Sequence, residues 1–169
     1  MTAVVIALIL PSAVLMSQPR QPPANPAIDM DGYLRNAHDA AQHRGSRRLS
    51  EAEFMALAKE PGTIVLDARS KDRFDLLHIQ GAVNLSFPDI TIESLARLIP
   101  DKSTRVLIYC NNNFREAEAP FPSKLPQASL NLSTYIALFT YGYRNIFELG
   151  PQVDPRTSPL PLVPSAAAK

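Results

Sequence analysis

The chain has 169 residues, 17 basic and 16 acidic, for a net charge of +1. That length builds one domain with a real core, and the charge balance gives no general attraction to nucleic acid or anionic lipid. A single cysteine excludes both an intramolecular disulfide and a cysteine-rich zinc site.

Residues 1–17 are strongly apolar, with Val4, Val5, Ile6, Leu8, Ile9 and Leu10 in close succession. The run is too short, and too interrupted by Pro11, for a secure membrane span. It is similar to the apolar part of a secretory signal, although no Lys or Arg precedes it. The expectation is an exported, periplasmic or extracytoplasmic protein. The alternative is an uncleaved apolar anchor or a cytoplasmic protein. Residues 18–47 read as a linker and edge segment: a proline-rich stretch, then a solvated, charged piece containing His38, His43, Arg44 and Arg47. His38 and His43 are five apart, so they do not share a helical face, and metal binding there is not expected.

Ser50 and Glu53 form a capping box ahead of a helical face made by Phe54, Leu57 and Ala58, which Pro61-Gly62 ends. Thr63 to Leu66 is the first strand. Ser70 caps a short helix containing Phe74 and Leu77, and Gly81 supplies either a backbone shape or a close approach before a strand at Val83 to Leu85. Thr91 to Ile99 reads as a helix. Arg105 to Tyr109 is the central strand, because four large apolar or aromatic residues in a row suit a sheet covered on both faces. Pro120, Pro122 and Pro126 break any helix that follows it. A further helix, capped by Ser129 or Asn131, presents Leu132, Tyr135, Ile136 and Phe139 and stops at Gly142. A last strand covers 145–147. Residues 151–169, rich in proline and alanine, read as a tail that is disordered from Pro155. Strands alternating with helices predict a small, mostly parallel α/β sheet flanked by helices.

Cys110 sits where the central strand ends, the edge of a parallel sheet at which ligands bind. Asn111, Asn112, Asn113, Phe114 and Arg115 follow it. A curled loop here would turn successive N–H groups inward as an anion nest, and a nearby cation would favour the thiolate. Arg115 could orient an anion bidentately. Phe114 could cover the pocket or pack on the proline segment. Lys124 reads as a solvated turn residue. No phosphate-binding glycine loop, cofactor motif or aromatic-basic interleaving is present.

The motifs Ile64-Val-Leu-Asp67-Ala-Arg69, His78-Ile-Gln-Gly81-Ala82-Val-Asn84, Val106-Leu-Ile-Tyr-Cys110 with Arg115, and Tyr141-Gly-Tyr-Arg-Asn145-Ile-Phe-Glu-Leu149 occur in this order. In that order the chain resembles the rhodanese-like (sulfurtransferase) family over roughly residues 48–150. The resemblance implies a rhodanese-like fold in which Cys110 takes a sulfane sulfur as a persulfide and passes it to a thiol or cyanide. Residues 111–115 would line the anion site. Asp67, Arg69, His78 and Gly81 would be support residues. The partner would be a small sulfur-containing anion or a protein thiol, with no metal and no cofactor. The loop diverges from the family's usual one. Asparagines replace a glycine-containing interior, and Glu116 stands where serine or threonine is common after the arginine. The alternatives are a non-catalytic rhodanese-like module that binds a small anion or a protein, and, less favoured, a cysteine-dependent phosphatase-type enzyme.

Overall fold

The computed structural model describes residues 25–115, 117 and 119–165; the apolar run at 1–17 and Glu116 lie outside them. Helix α1 (Met30–Arg44) begins at Asp29, whose carboxylate accepts the Gly32 N–H. Strand β1 (Arg48–Leu49) leads into α2 (Glu51–Ala58), which opens on the full Ser50/Glu53 capping box. There follow β2 (Thr63–Asp67), α3 (Lys71–Leu76), β3 (His78–Ile79) and β4 (Val83–Asn84). After them come α4 (Ile92–Leu98), β5 (Arg105–Tyr109), α5 (Leu130–Thr140), β6 (Ile146–Leu149) and β7 (Leu162–Val163).

Five strands form one sheet in the order β1-β6-β5-β2-β4, every pair parallel. The β2–β5 register runs from Thr63 opposite Arg105 to Asp67 opposite Tyr109. Alternation along the strands divides the core into two layers. Leu66, Val106, Ile108 and Ile146 pack with Leu95, Tyr135, Leu138 and Tyr143 on the α4/α5 face. Val65, Leu107, Tyr109 and Leu149 pack with Phe54, Phe114, Phe121 and Val153 on the other. The four-residue apolar run of β5 is therefore buried on both sides.

Two segments differ from their sequence-based expectation. The charged piece before Arg48 is a 15-residue helix docked on α5 rather than a solvated edge. Its contact face is made of small residues and stems: Ala40 is buried, and His43 packs against Tyr135 and Phe139. The C-terminal segment is ordered through Ser165. Val153 and Leu160 are buried, and β7 pairs antiparallel with β3, setting His78 opposite Val163. Backbone pairing and single buried side chains hold it, so no apolar periodicity marks it. Gly81 adopts φ +82° with open space around its Cβ position, so it serves a turn and no close approach. No helix among the described residues is long and apolar enough to cross a membrane.

Candidate functional site

From β2 the chain moves to β4 on one side, then returns to β5 on the other. The C-terminal ends of β2 and β5 thus flank the point where strand order reverses, the ordinary ligand edge of such a sheet. Cys110 follows β5 there in extended backbone (φ −147°, ψ −172°). Residues Asn111–Asn113 form one 3-10 turn rather than an open cradle.

Three N–H groups of the turn reach carbonyl oxygens: Asn113 donates to Cys110 O and also faces the Cys110 sulfur, Phe114 donates to Asn111 O, and Arg115 to Val153 O. The Cys110 N–H donates to Asn113 Oδ1 at 2.9 Å. The Cys110 side chain is 1% exposed. Its sulfur lies 3.3 Å from Ser129 Oγ, the residue that opens α5. The proline segment therefore loops out and brings the α5 terminus back to the cysteine, instead of displacing it.

The remaining loop residues have separate tasks. Asn113 is a hub: Oδ1 also accepts from Asn131 Nδ2 at 3.1 Å, while Nδ2 donates to Leu149 O and Pro151 O. Asn112 clips the proline segment, donating to Lys124 O and accepting the Lys124 N–H. Phe114 is not an anion-lining residue. It is buried, meets Tyr109 edge-on, and stacks on Phe121 with ring centres 3.9 Å apart. Arg115, at the end of the turn, is exposed, and its N–H goes to Val153 O. Asn111 is buried, and its Oδ1 has no partner among the described residues.

The support residues form a separate network. Asp67 Oδ1 accepts from both Arg69 N–H and Nε, and Oδ2 accepts from Nη2 at 2.6 Å. Arg69 then donates to Pro120 O and Leu77 O and lies 4.3 Å over the Phe121 ring. A completely buried pair is thus spent on anchoring the proline segment. His78 Nδ1 bonds Phe74 O at 2.8 Å and its ring stacks on Phe74, a fold-supporting position away from the sulfur's partners. Tyr109 OH accepts the Ile79 N–H, and burial, reinforced by the Asp67 charge, pushes its phenol far above the ordinary range. Asn84, Phe121, Ser129 and Asn131 belong to this region as well. Sequence reasoning assigned them no part in it, because each acts through one long-range contact that spacing cannot reveal.

Two polar clefts flank the turn. One, of about 300 Å³, is lined by Ser70, Arg73, Asn111 and Lys124 among others; the second lies on the α5 side. Among the described residues no cluster of His, Cys, Asp or Glu could hold a metal ion.

The Rhodanese-like domain family model matches residues 50–149. The chain belongs to the rhodanese-like domain family. It is 31% identical over 97 residues to a tRNA uridine(34) hydroxylase of Staphylococcus aureus (strain JH9), covering 53% of this chain and 27% of that protein. It is 32% identical over 54 residues to the thiosulfate sulfurtransferase PspE of Escherichia coli (strain K12), covering 32% of this chain and 51% of that one. The match thus spans about a quarter of the first relative and half of the second. Among solved structures, the Alr3790 protein of Anabaena sp. superposes with a TM-score of 0.50 at 16% identity, covering 71% of this chain and 83% of that one. That likeness supports the fold: an α/β rhodanese-like domain with a parallel sheet and flanking helices.

Proposed function

We propose that this rhodanese-like chain is a binding module for a small anion rather than a sulfur-transfer enzyme. The observation that carries this reading is the state of Cys110. Its sulfur is buried, and the N–H groups of Phe114 and Arg115 are directed to carbonyl oxygens, which leaves the Asn113 N–H, itself shared with Cys110 O, to face the sulfur. A persulfide needs an accessible thiolate and room for the added atom. The cleft at the same sheet edge has better chemistry for reversible binding. Arg73 and Lys124 bring two positive charges, and Ser70 brings a hydroxyl. Asn111 Oδ1 has no partner among the described residues, so the amide can turn its Nδ2 toward an anion.

Sulfur transfer is the second reading, favoured by Ser129 and the start of α5 lying against the sulfur. In that reaction the Cys110 thiolate attacks the sulfane sulfur of thiosulfate, the S–S bond breaks, and sulfite leaves.

One experiment separates the two. The chain is titrated calorimetrically with thiosulfate and sulfate, and the protein is then analysed by intact mass. Binding that weakens in Lys124→Gln and Arg73→Gln, with no sulfur added, supports the module. One sulfur atom gained by the wild type and not by Cys110→Ser supports the transferase.

A further inference from the structure

The cleft on the α5 side of the turn, about 310 Å³, is lined by residues that the anion site does not use. Arg44 enters it from the end of α1, Arg48 from β1, Asn131 from α5 and Glu148 from β6, with Asn112 and Gln152 beside them. Its volume is at the low end of small-molecule sites, roughly 300–1,000 Å³.

The polar groups in this wall are incompletely paired. Glu148 is 1% exposed, and its Oε1 meets Arg44 Nη2 at 2.5 Å and Arg48 Nε at 3.3 Å. Glu148 Oε2 has no partner among the described residues, and neither does the buried Arg44 Nε. Asn131 is 6% exposed, and its Oδ1 is also unpartnered.

The orientation of the Asn131 amide is fixed by its neighbours. Asn113 Nδ2 donates to two carbonyls, so Asn113 Oδ1 must be the atom that faces Asn131. That oxygen already accepts the Cys110 N–H, so Asn131 must present its Nδ2 to it. Asn131 Oδ1 is then left as an acceptor. The residues of the wall thus carry two acceptors in want of a donor and one donor in want of an acceptor, each closed off from solvent, so a ligand reaches them only as these side chains turn. Each such group costs on the order of 1–3 kcal/mol while unmet.

The two simple kinds of ion fit poorly. An anion would serve Arg44 but would press negative charge against Glu148 and leave both acceptors unmet. A cation would serve the acceptors but would face two guanidinium groups. We propose that this cleft binds a small zwitterion of the α-amino-acid type. Its ammonium end sits on Glu148 Oε2 and Asn131 Oδ1, and its carboxylate on Arg44 and Arg48. The site is independent of the anion cleft on the other flank of the turn.

The test is calorimetry and amide NMR on the full chain with glycine, L-alanine and L-glutamine. Propionate and ethylamine, the two halves of alanine, and inorganic phosphate serve as comparisons. The expected result is saturable binding of at least one amino acid, with shifts at the Asn131 side-chain amide and Gly150. Each half-molecule binds at least tenfold more weakly. Arg48→Gln, at a half-exposed position, weakens amino-acid binding at least tenfold while the chain still unfolds in one cooperative transition. Glu148→Gln reverses the preference toward propionate. Propionate or phosphate binding as tightly as the amino acids overturns the proposal in favour of a plain anion cleft. Failure of all three amino acids to bind also overturns it, with water then serving the unmet groups.

Discussion

Asn113 Oδ1 accepts the Cys110 N–H at 2.9 Å, while the same amide reaches two carbonyls, Leu149 at the end of β6 and Pro151 past it, through its nitrogen. The last side chain of the asparagine run therefore meets a backbone N–H that an open anion loop would offer to a ligand. Asn113→Ala strands the Cys110 N–H, the Asn131 amide and the Leu149 carbonyl. The expected loss is about 3 kcal/mol, since each unmet buried group costs on the order of 1–3 kcal/mol and the site relaxes in part. Urea denaturation checks it, and a loss under about 1 kcal/mol would show the hub to be dispensable.

Phe114 and Phe121 form the apolar plug between the turn and the proline segment. Phe121→Ala is expected to cost about 3–5 kcal/mol, the range for deleting a buried aromatic ring. Because the rings touch, the double substitution with Phe114→Ala should cost less than the two single losses added together. Additive losses in a double-mutant cycle would contradict the stacked contact.

Asp67→Ala leaves the buried Arg69 guanidinium without its carboxylate. Breaking a buried pair in this way costs about 3–5 kcal/mol. Arg69 also holds Pro120, so hydrogen exchange should rise over 119–128 before it rises in β5. Uniform exchange across both segments would sever that link.

His43 and Tyr135 share a hydrogen bond at 2.7 Å across the α1–α5 contact. Burial, then the charges of Arg47 and Arg144, lowers the pKa of His43, and burial raises that of Tyr135 to about 12. A histidine depressed in the folded state adds stability that is complete above its unfolded pKa of about 6.5. As the pH falls below that value, the unfolded chain takes up the proton first and the stability is lost. Thermal midpoints should therefore fall below about pH 6.5, and His43→Gln should flatten that part of the curve. The carboxylates act lower: the hydrogen bond from Arg156 holds Asp154 at about 2, so its contribution fades only below the usual carboxylate range.

Much of the frame was legible because it rests on local pattern. Val106 to Tyr109 had to be a doubly covered strand, Ser50 with Glu53 had to open a helix, and Gly81 had to turn the chain. The face of α5 was misread in part. Of the apolar positions Leu132, Tyr135, Ile136 and Phe139, Tyr135 is buried and Ile136 and Phe139 pack half-buried against the core, while Asn131, Thr134 and Leu138 are its other buried positions. Asn131 is buried because it meets Asn113, 18 residues away in sequence. The loop was misjudged for a related reason. A curled nest of N–H groups is the expectation, but the asparagine side-chain amides supply the bonding; of the two places open to Phe114, the ring takes the one on the proline segment. Helix α1 reads from sequence as a solvated edge because its contact face is alanine and polar stems, which carry little periodic signal.

The most direct measurement is intact mass of the purified chain after incubation with excess thiosulfate, with Cys110→Ser alongside. A buried sulfur in a turn that sends its Phe114 and Arg115 N–H groups to carbonyls predicts an unchanged mass for both proteins, together with slow alkylation of Cys110 that becomes fast in denaturant. A stable gain of one sulfur atom on the wild type alone would contradict the binding-module account and make Cys110 a sulfur carrier.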